Sequence, residues 1–158
     1  MSTTPAPVRV FLDTSVLFSG IWSEVGGTRL ILKLGESEAL KIVIGSRVLE
    51  EIDEVLRVKY PAVIKDLVLL LDRCRVEVST RLDNAILIQC ESLTIHKGDA
   101  RVLAESWCAG VDYFTTHDKI HLSENQRVVT SVPFPVGSPG DFLAWYRKRL
   151  SISPPAAE

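Results

Sequence analysis

The sequence predicts an α/β fold in which a parallel sheet is covered by helices on both faces. Two observations carry this. Short apolar runs rich in β-branched and aromatic residues alternate with longer segments whose apolar residues recur at helical spacing. The 158 residues contain no internal repeat and no linker, so these segments serve one core. Alternation implies parallel pairing because parallel neighbours need a crossover long enough to hold a helix.

The elements follow in order. Residues 8–12 (VRVFL) form a first strand, and Val16, Leu17 and Phe18 lead into a helix. Helical spacing over residues 28–34 sets Leu30, Ile31 and Leu34 on one side. Residues 41–45 (KIVIG) are a second β-branched run, and Ser46 after it is of a residue type that caps helices. Val48, Leu49, Ile52, Val55 and Leu56 then fall at i, i+1, i+4, i+7 and i+8, one face of a helix. Pro61 breaks that pattern. Residues 62–74 restart it, and their apolar content predicts a largely buried helix. Residues 75–79 alternate as a strand does, and residues 84–93 and 99–109 read as helices, the second closed by Gly110. Residues 112–116 (DYFTT) and 127–132 (RVVTSV) read as the last two strands, and SPGDFLAWYRKRL as a C-terminal helix. Residues 1–7 and 151–158 are rich in Pro, Ala and Ser and read as flexible tails around a single domain, 8–150.

Composition narrows the function classes. With 46% hydrophobic and 24% charged residues the chain can bury a core and is not a disordered segment. A net charge of −2 argues against a protein that coats nucleic acid by global positive charge. It leaves room for a local basic rim from Arg47, Arg57, Lys59, Lys97, Arg101 and Lys119, most of which are expected on solvated helix faces. Three widely spaced cysteines without a C-x-x-C pair argue against a zinc site or disulfide framework and read as buried thiols. The start MSTTPAPV has neither a basic segment nor a long apolar run, so neither a signal peptide nor a membrane span is expected, and a cytoplasmic location follows.

The chemistry lies in acidic residues at strand ends and helix starts. In open parallel sheets ligands bind beyond the carboxyl ends of the strands. Asp13 ends the first strand and Asp118 follows the fourth, so central parallel strands would bring both to one crevice. Capping or an Asx turn would also explain either residue. Asp99 follows Gly98 and opens a helix, where an Asp is a common cap. On the helix after Ser46, Glu50 lies opposite the apolar face, whereas Glu51 and Asp53 lie on its two borders, and spacing does not separate these two. Converging carboxylates would repel, by about 4 kcal/mol for two charges about 4 Å apart at an effective dielectric near 20. Protonation or a bound cation resolves this, and an all-oxygen ligand set suits Mg²⁺ or Mn²⁺. Such a constellation implies metal-dependent phosphoryl hydrolysis, with a metal-activated water as nucleophile.

Four pieces, in this order and spacing, resemble the PIN-domain family of metal-dependent ribonucleases: VFLDTSVLFSG, SRVLEEIDEVL, GDARVLAESWCAGVDYFTTHDK and SPGDFLAWYRK. The resemblance spans roughly residues 8–150. It implies a three-layer α/β/α sandwich around a five-stranded parallel sheet. It carries the family's acidic positions onto Asp13, Glu51, Asp99 and Asp118 as catalytic, metal-holding residues, so that Glu51 rather than Asp53 is the helix acid. Ser15 and Thr116 fall where the family has supporting hydroxyl or amide donors that orient the carboxylates. Ser15 stands where Asn is commoner, and His117 where the family varies. His96, His117 and His121 read as exposed bystanders. The resemblance further implies an RNA substrate, an antitoxin protein as partner where the protein is the toxin of a toxin–antitoxin pair, and a homodimer.

Two other functions compete. An aspartyl-phosphate phosphatase of the haloacid dehalogenase type also begins on a strand-end Asp, but it needs a second Asp two residues on, where this chain has Ser15. A non-catalytic PIN-like module binding nucleic acid or protein would keep the fold and use the acids only as caps.

Overall fold

A computed structural model describes residues 5–152. The outer parts of both expected tails, 1–4 and 153–158, lie outside the described residues. Five strands form one all-parallel sheet: β1 (Val8–Leu12), β2 (Leu40–Gly45), β3 (Glu77–Ser79), β4 (Tyr113–Thr115) and β5 (Val136–Gly137), in the order β3-β2-β1-β4-β5. The helices between them are α1 (Thr14–Trp22), α2 (Gly27–Glu36), α3 (Ser46–Lys59), α4 (Ile64–Arg73), α5 (Asn84–Glu91), α6 (Lys97–Cys108), α7 (Gln126–Ser131) and α8 (Pro139–Ile152). A 3₁₀ turn at Pro61–Val63 separates α3 from α4, so Pro61 ends the helix as its chemistry predicts.

Alternation along the strands produces the three layers. Val10 pairs in register with Ile42 and with Tyr113, and these side chains share one face. That face meets α2, where Gly35 lies against Ile42, and α8, where Phe142 packs edge-on to Tyr113 at 5.2 Å. Phe11, Val43 and Phe114 share the other face, where the rings of Phe11 and Phe114 stack at 5.2 Å. Gly45 has the same parity as Val43 and lies against Glu105 of α6, which covers that face. Phe11, Ile42, Ile44, Leu103 and Phe114 are fully buried.

Four expectations are corrected. Residues 126–131 form α7, not a strand. Asn125 caps it, its side-chain oxygen accepting the N–H groups of Arg127 and Val128, and the buried Val128 and Val132 are spaced i, i+4. The cap and this spacing outweigh the β propensity of the valines, and the last strand is the two-residue β5. The buried face of α2 is Thr28, Ile31, Leu32 and Gly35, leaving Leu30 half exposed. In α4 only Leu67 is buried, while Val68 is 59% and Leu69 50% exposed. Ser46 is the first residue of α3 rather than its cap, because a carboxylate of α6 does the capping. Cys74, Cys90 and Cys108 are all unpaired thiols, and burial pushes Cys90 up to about 12, Cys108 adding to it. Among the described residues no helix is long and apolar enough to cross a membrane.

Candidate active site

Adjacent parallel strands β1 and β4 deliver the first acid. The Asp13 N–H donates to Thr115 O at 3.0 Å, and the Thr115 hydroxyl donates to Phe11 O at 2.8 Å, locking the two strand ends together. Asp13 then caps α1: its Oδ1 accepts the Thr14 N–H at 2.8 Å. The capping reading and the site reading hold together, because a cap uses one oxygen. The other, Oδ2, accepts the Thr116 hydroxyl at 2.7 Å.

Two threonines link the acids. The Thr14 hydroxyl donates to Glu51 Oε2 at 2.7 Å, so one residue bridges Asp13 and Glu51. The Thr116 oxygen, while donating to Asp13, accepts the Asp118 N–H at 3.0 Å and bridges those two. Thr116 is 1% exposed, which fixes its rotamer. The other oxygen of Glu51 takes Arg47 Nε at 2.9 Å. Asp53 instead makes an exposed ion pair with Arg57. The border of α3 that faces α1 thus carries Glu51, the acid the family resemblance chooses where helical spacing leaves a tie with Asp53. Ser15 accepts the His117 N–H at 3.3 Å and so ties down the loop after β4.

Asp118 begins a π-helical turn, Lys119–Ser123, that carries His121 back over it. The His121 N–H donates to Asp118 Oδ1 at 3.0 Å, and its ring Nδ1 lies 3.2 and 3.1 Å from the two carboxylate oxygens. Asp99, in the first turn of α6, completes the group: donor atoms of Asp99, Asp118 and His121 all lie within 4.8 Å of one another. Two ligands at about 2.1 Å on opposite sides of an ion are about 4.2 Å apart, so this spacing fits a divalent cation. Sequence alone reads His121 as a bystander; its position three residues after Asp118, on the same turn, is the signal that marks it. His117 is exposed, with Nε2 3.4 Å from the Ser19 hydroxyl.

The electrostatics match this arrangement. Burial pushes the Asp13 carboxyl up to about 6 against the pull of Thr116 and Thr14, and the charges of Asp99 and Glu51 add to it. Burial also raises Asp99, followed by the charge of Asp118, while His96 and His121 oppose the shift. Asp13, Glu51, Asp99 and Asp118 thus act on one another's charge. Of the basic residues named from the sequence, Arg47 is engaged by Glu51, Arg57 by Asp53 and Arg101 by Glu105.

Glu105 is a buried carboxylate outside this set, 1% exposed on α6. It accepts the Ser46 N–H at 2.9 Å, the Ser46 hydroxyl at 2.6 Å and the Arg47 N–H at 3.1 Å. It thus caps α3 from another helix, with a full charge at the positive end of the dipole. That is why Ser46 lies inside the helix, and why Gly45 precedes it: a Cβ there would come within 3.0 Å of Glu105. The contact sets the start of the helix that carries Arg47 and Glu51.

Fold and site together define a class: a small α/β protein with an acidic crevice at the carboxyl ends of parallel strands. By sequence the chain matches no family model and no curated protein. By structure it is similar to VapBC2 from Rickettsia felis, solved bound to a DNA fragment from its promoter, with a TM-score of 0.61 at 15% identity over 83% of this chain and 98% of that one. It is similar also to PAE2754 from Pyrobaculum aerophilum, with a TM-score of 0.55 at 14% identity over 90% of this chain and 94% of that one. The fold is the PIN-domain fold.

Proposed function

We propose that the protein is a divalent-metal-dependent endoribonuclease that hydrolyses RNA phosphodiester bonds, and that it acts in the cytoplasm as the toxin of a toxin–antitoxin pair. The observation that carries the reading is the continuous chain Glu51–Thr14–Asp13–Thr116–Asp118, with Asp99 beside Asp118. Carboxylates that only capped their helices would need no threonines bridging one acidic residue to the next.

Asp13, Glu51, Asp99 and Asp118 would hold the cation, Mg²⁺ or Mn²⁺. When bound it supplies Lewis-acid stabilisation of the phosphate's developing charge and lowers the pKa of the attacking water. The rest is done by the chain. Thr14 and Thr116 fix the carboxylate planes, Arg47 limits the repulsion at Glu51, and the locked ends of β1 and β4 keep Asp13 and Asp118 in register. The PIN-domain fold and the likeness to VapBC2 support an antitoxin protein as partner, and the family resemblance supports a homodimer.

The test is cleavage of mixed RNA and of single-stranded DNA by wild type and Asp13→Asn, each with Mg²⁺, Mn²⁺ or chelator. The reading expects RNA cleavage by wild type with metal only. Equal cleavage by the variant would refute it, and metal-independent RNA binding without cleavage would point to a binding module.

A further inference from the structure

We propose that His121 is a nitrogen ligand to the cation held at Asp99 and Asp118, so that the site selects a first-row transition ion such as Mn²⁺ over Mg²⁺. This rests on the reading of the acidic crevice as a cation site and goes beyond its four carboxylates.

The donor geometry favours these three residues. Both oxygens of Asp13 and both of Glu51 accept hydrogen bonds from groups outside this cluster, whereas those of Asp118 meet the backbone N–H and ring Nδ1 of His121 within it. Asp99, by contrast, accepts none among the described residues. Its carboxylate lies within 4.8 Å of the ligand atoms that Asp118 and His121 offer. The group best arranged to ligate therefore holds two carboxylates and one imidazole.

The imidazole is held in place. Its residue's backbone N–H is bound to Asp118 Oδ1. Its ring meets the ring of His96 edge-on, with centroids 4.8 Å apart and planes at 75°. His96 directly precedes α6, the helix carrying Asp99. The ring contact thus joins the two elements that supply the ligands and sets their spacing. His96 is a positioning residue here, and His121 the ligand.

Ligand chemistry then gives the selectivity. Mg²⁺ is hard, takes oxygen ligands in near-ideal octahedral geometry and parts with water reluctantly. Imidazole nitrogen suits first-row transition ions better, Mn²⁺ the least strongly of that series. Replacing one oxygen by His121 therefore weakens the site for Mg²⁺ relative to Mn²⁺.

The test uses the full chain with Mn²⁺ as probe. Pulsed electron paramagnetic resonance of the bound ion should show ¹⁴N coupling in wild type and in His96→Ala, and none in His121→Ala or His121→Asn. The Asn variant keeps a polar side chain and guards against misfolding. Binding measured directly should show Mn²⁺ affinity falling about tenfold or more in His121→Asn, with Mg²⁺ affinity changing much less. No Mn²⁺ binding, no ¹⁴N coupling in wild type, coupling that survives His121→Asn, or an equal fall for both ions would each overturn the assignment. The nuclease reading is judged separately: ¹⁴N coupling without RNA cleavage removes that reading and keeps the ligand, and metal-dependent cleavage without coupling does the reverse.

Discussion

Neutralising Asp13 should stabilise the metal-free protein at the same time as it removes activity. The Asp13 carboxyl is pushed up to about 6, mainly by burial, whereas in an unfolded chain it titrates near its ordinary value of about 3.9. Between those values the native state holds a proton that the unfolded state has released, so stability falls as pH rises through this window. A shift of roughly two units costs about 3 kcal/mol once the pH is above about 6, and about 1 kcal/mol remains at pH 4.5. These are upper values, because the half-buried carboxylate still meets water at the crevice. An asparagine at this position resembles the protonated acid: its oxygen can accept the Thr14 N–H, and the Thr116 hydroxyl can turn to accept from its amide. After a repacking cost of about 1 kcal/mol, Asp13→Asn should gain about 1–2 kcal/mol at pH 7.5, raising Tm by roughly 3–8 °C for a domain of this size. Its advantage over wild type should shrink by about 2 kcal/mol on going to pH 4.5. Urea unfolding of both proteins in chelator at several pH values measures this. A stability difference that does not change with pH would refute the claim that a strained, buried charge sits at this position.

The remaining predictions concern the supports of the site. Thr116→Val removes the donor to Asp13 and the acceptor for the Asp118 N–H, and should lower kcat/KM for RNA about 10- to 100-fold with little change in the far-ultraviolet circular dichroism spectrum. Glu105→Ala leaves the first N–H groups of α3 without their buried acceptor and should cost about 2–4 kcal/mol in urea unfolding, with Glu105→Gln costing less; equal loss in both would show that the charge, and not the acceptor oxygen, is what holds the helix start. Gly45→Ala forces Glu105 to shift and should destabilise by about 1–3 kcal/mol, seen as a lower Tm. At 100 times its dissociation constant Mn²⁺ should raise the unfolding free energy by about 2.7 kcal/mol, reversibly with chelator, and this gain should vanish in a variant lacking both Asp99 and Asp118 carboxylates.

Much of this protein is readable from local pattern. The runs at Val8–Leu12 and Leu40–Gly45, the Val48–Ile52–Leu56 face, and the Gly110 stop each report their element because apolar period and capping chemistry act within a few residues. Asp13 and Asp118 could be assigned to one crevice because parallel order decides which strand ends meet. Local pattern failed at residues 126–131, where a cap and i, i+4 burial overrode β propensity, and at β5, which is too short to carry an alternation of its own. Helical spacing left Glu51 and Asp53 tied; the family resemblance chose Glu51, and the border of α3 that faces Thr14 gives the physical reason. Tertiary structure alone decided the rest. Glu105 became the cap of a helix it does not belong to. His121 moved from bystander to neighbour of Asp99 because a π-helical turn brings it toward a helix begun more than twenty residues earlier. Residue type and short-range spacing declare what a side chain can do; only the meeting of distant elements decides which side chains share a charge, a proton or an ion.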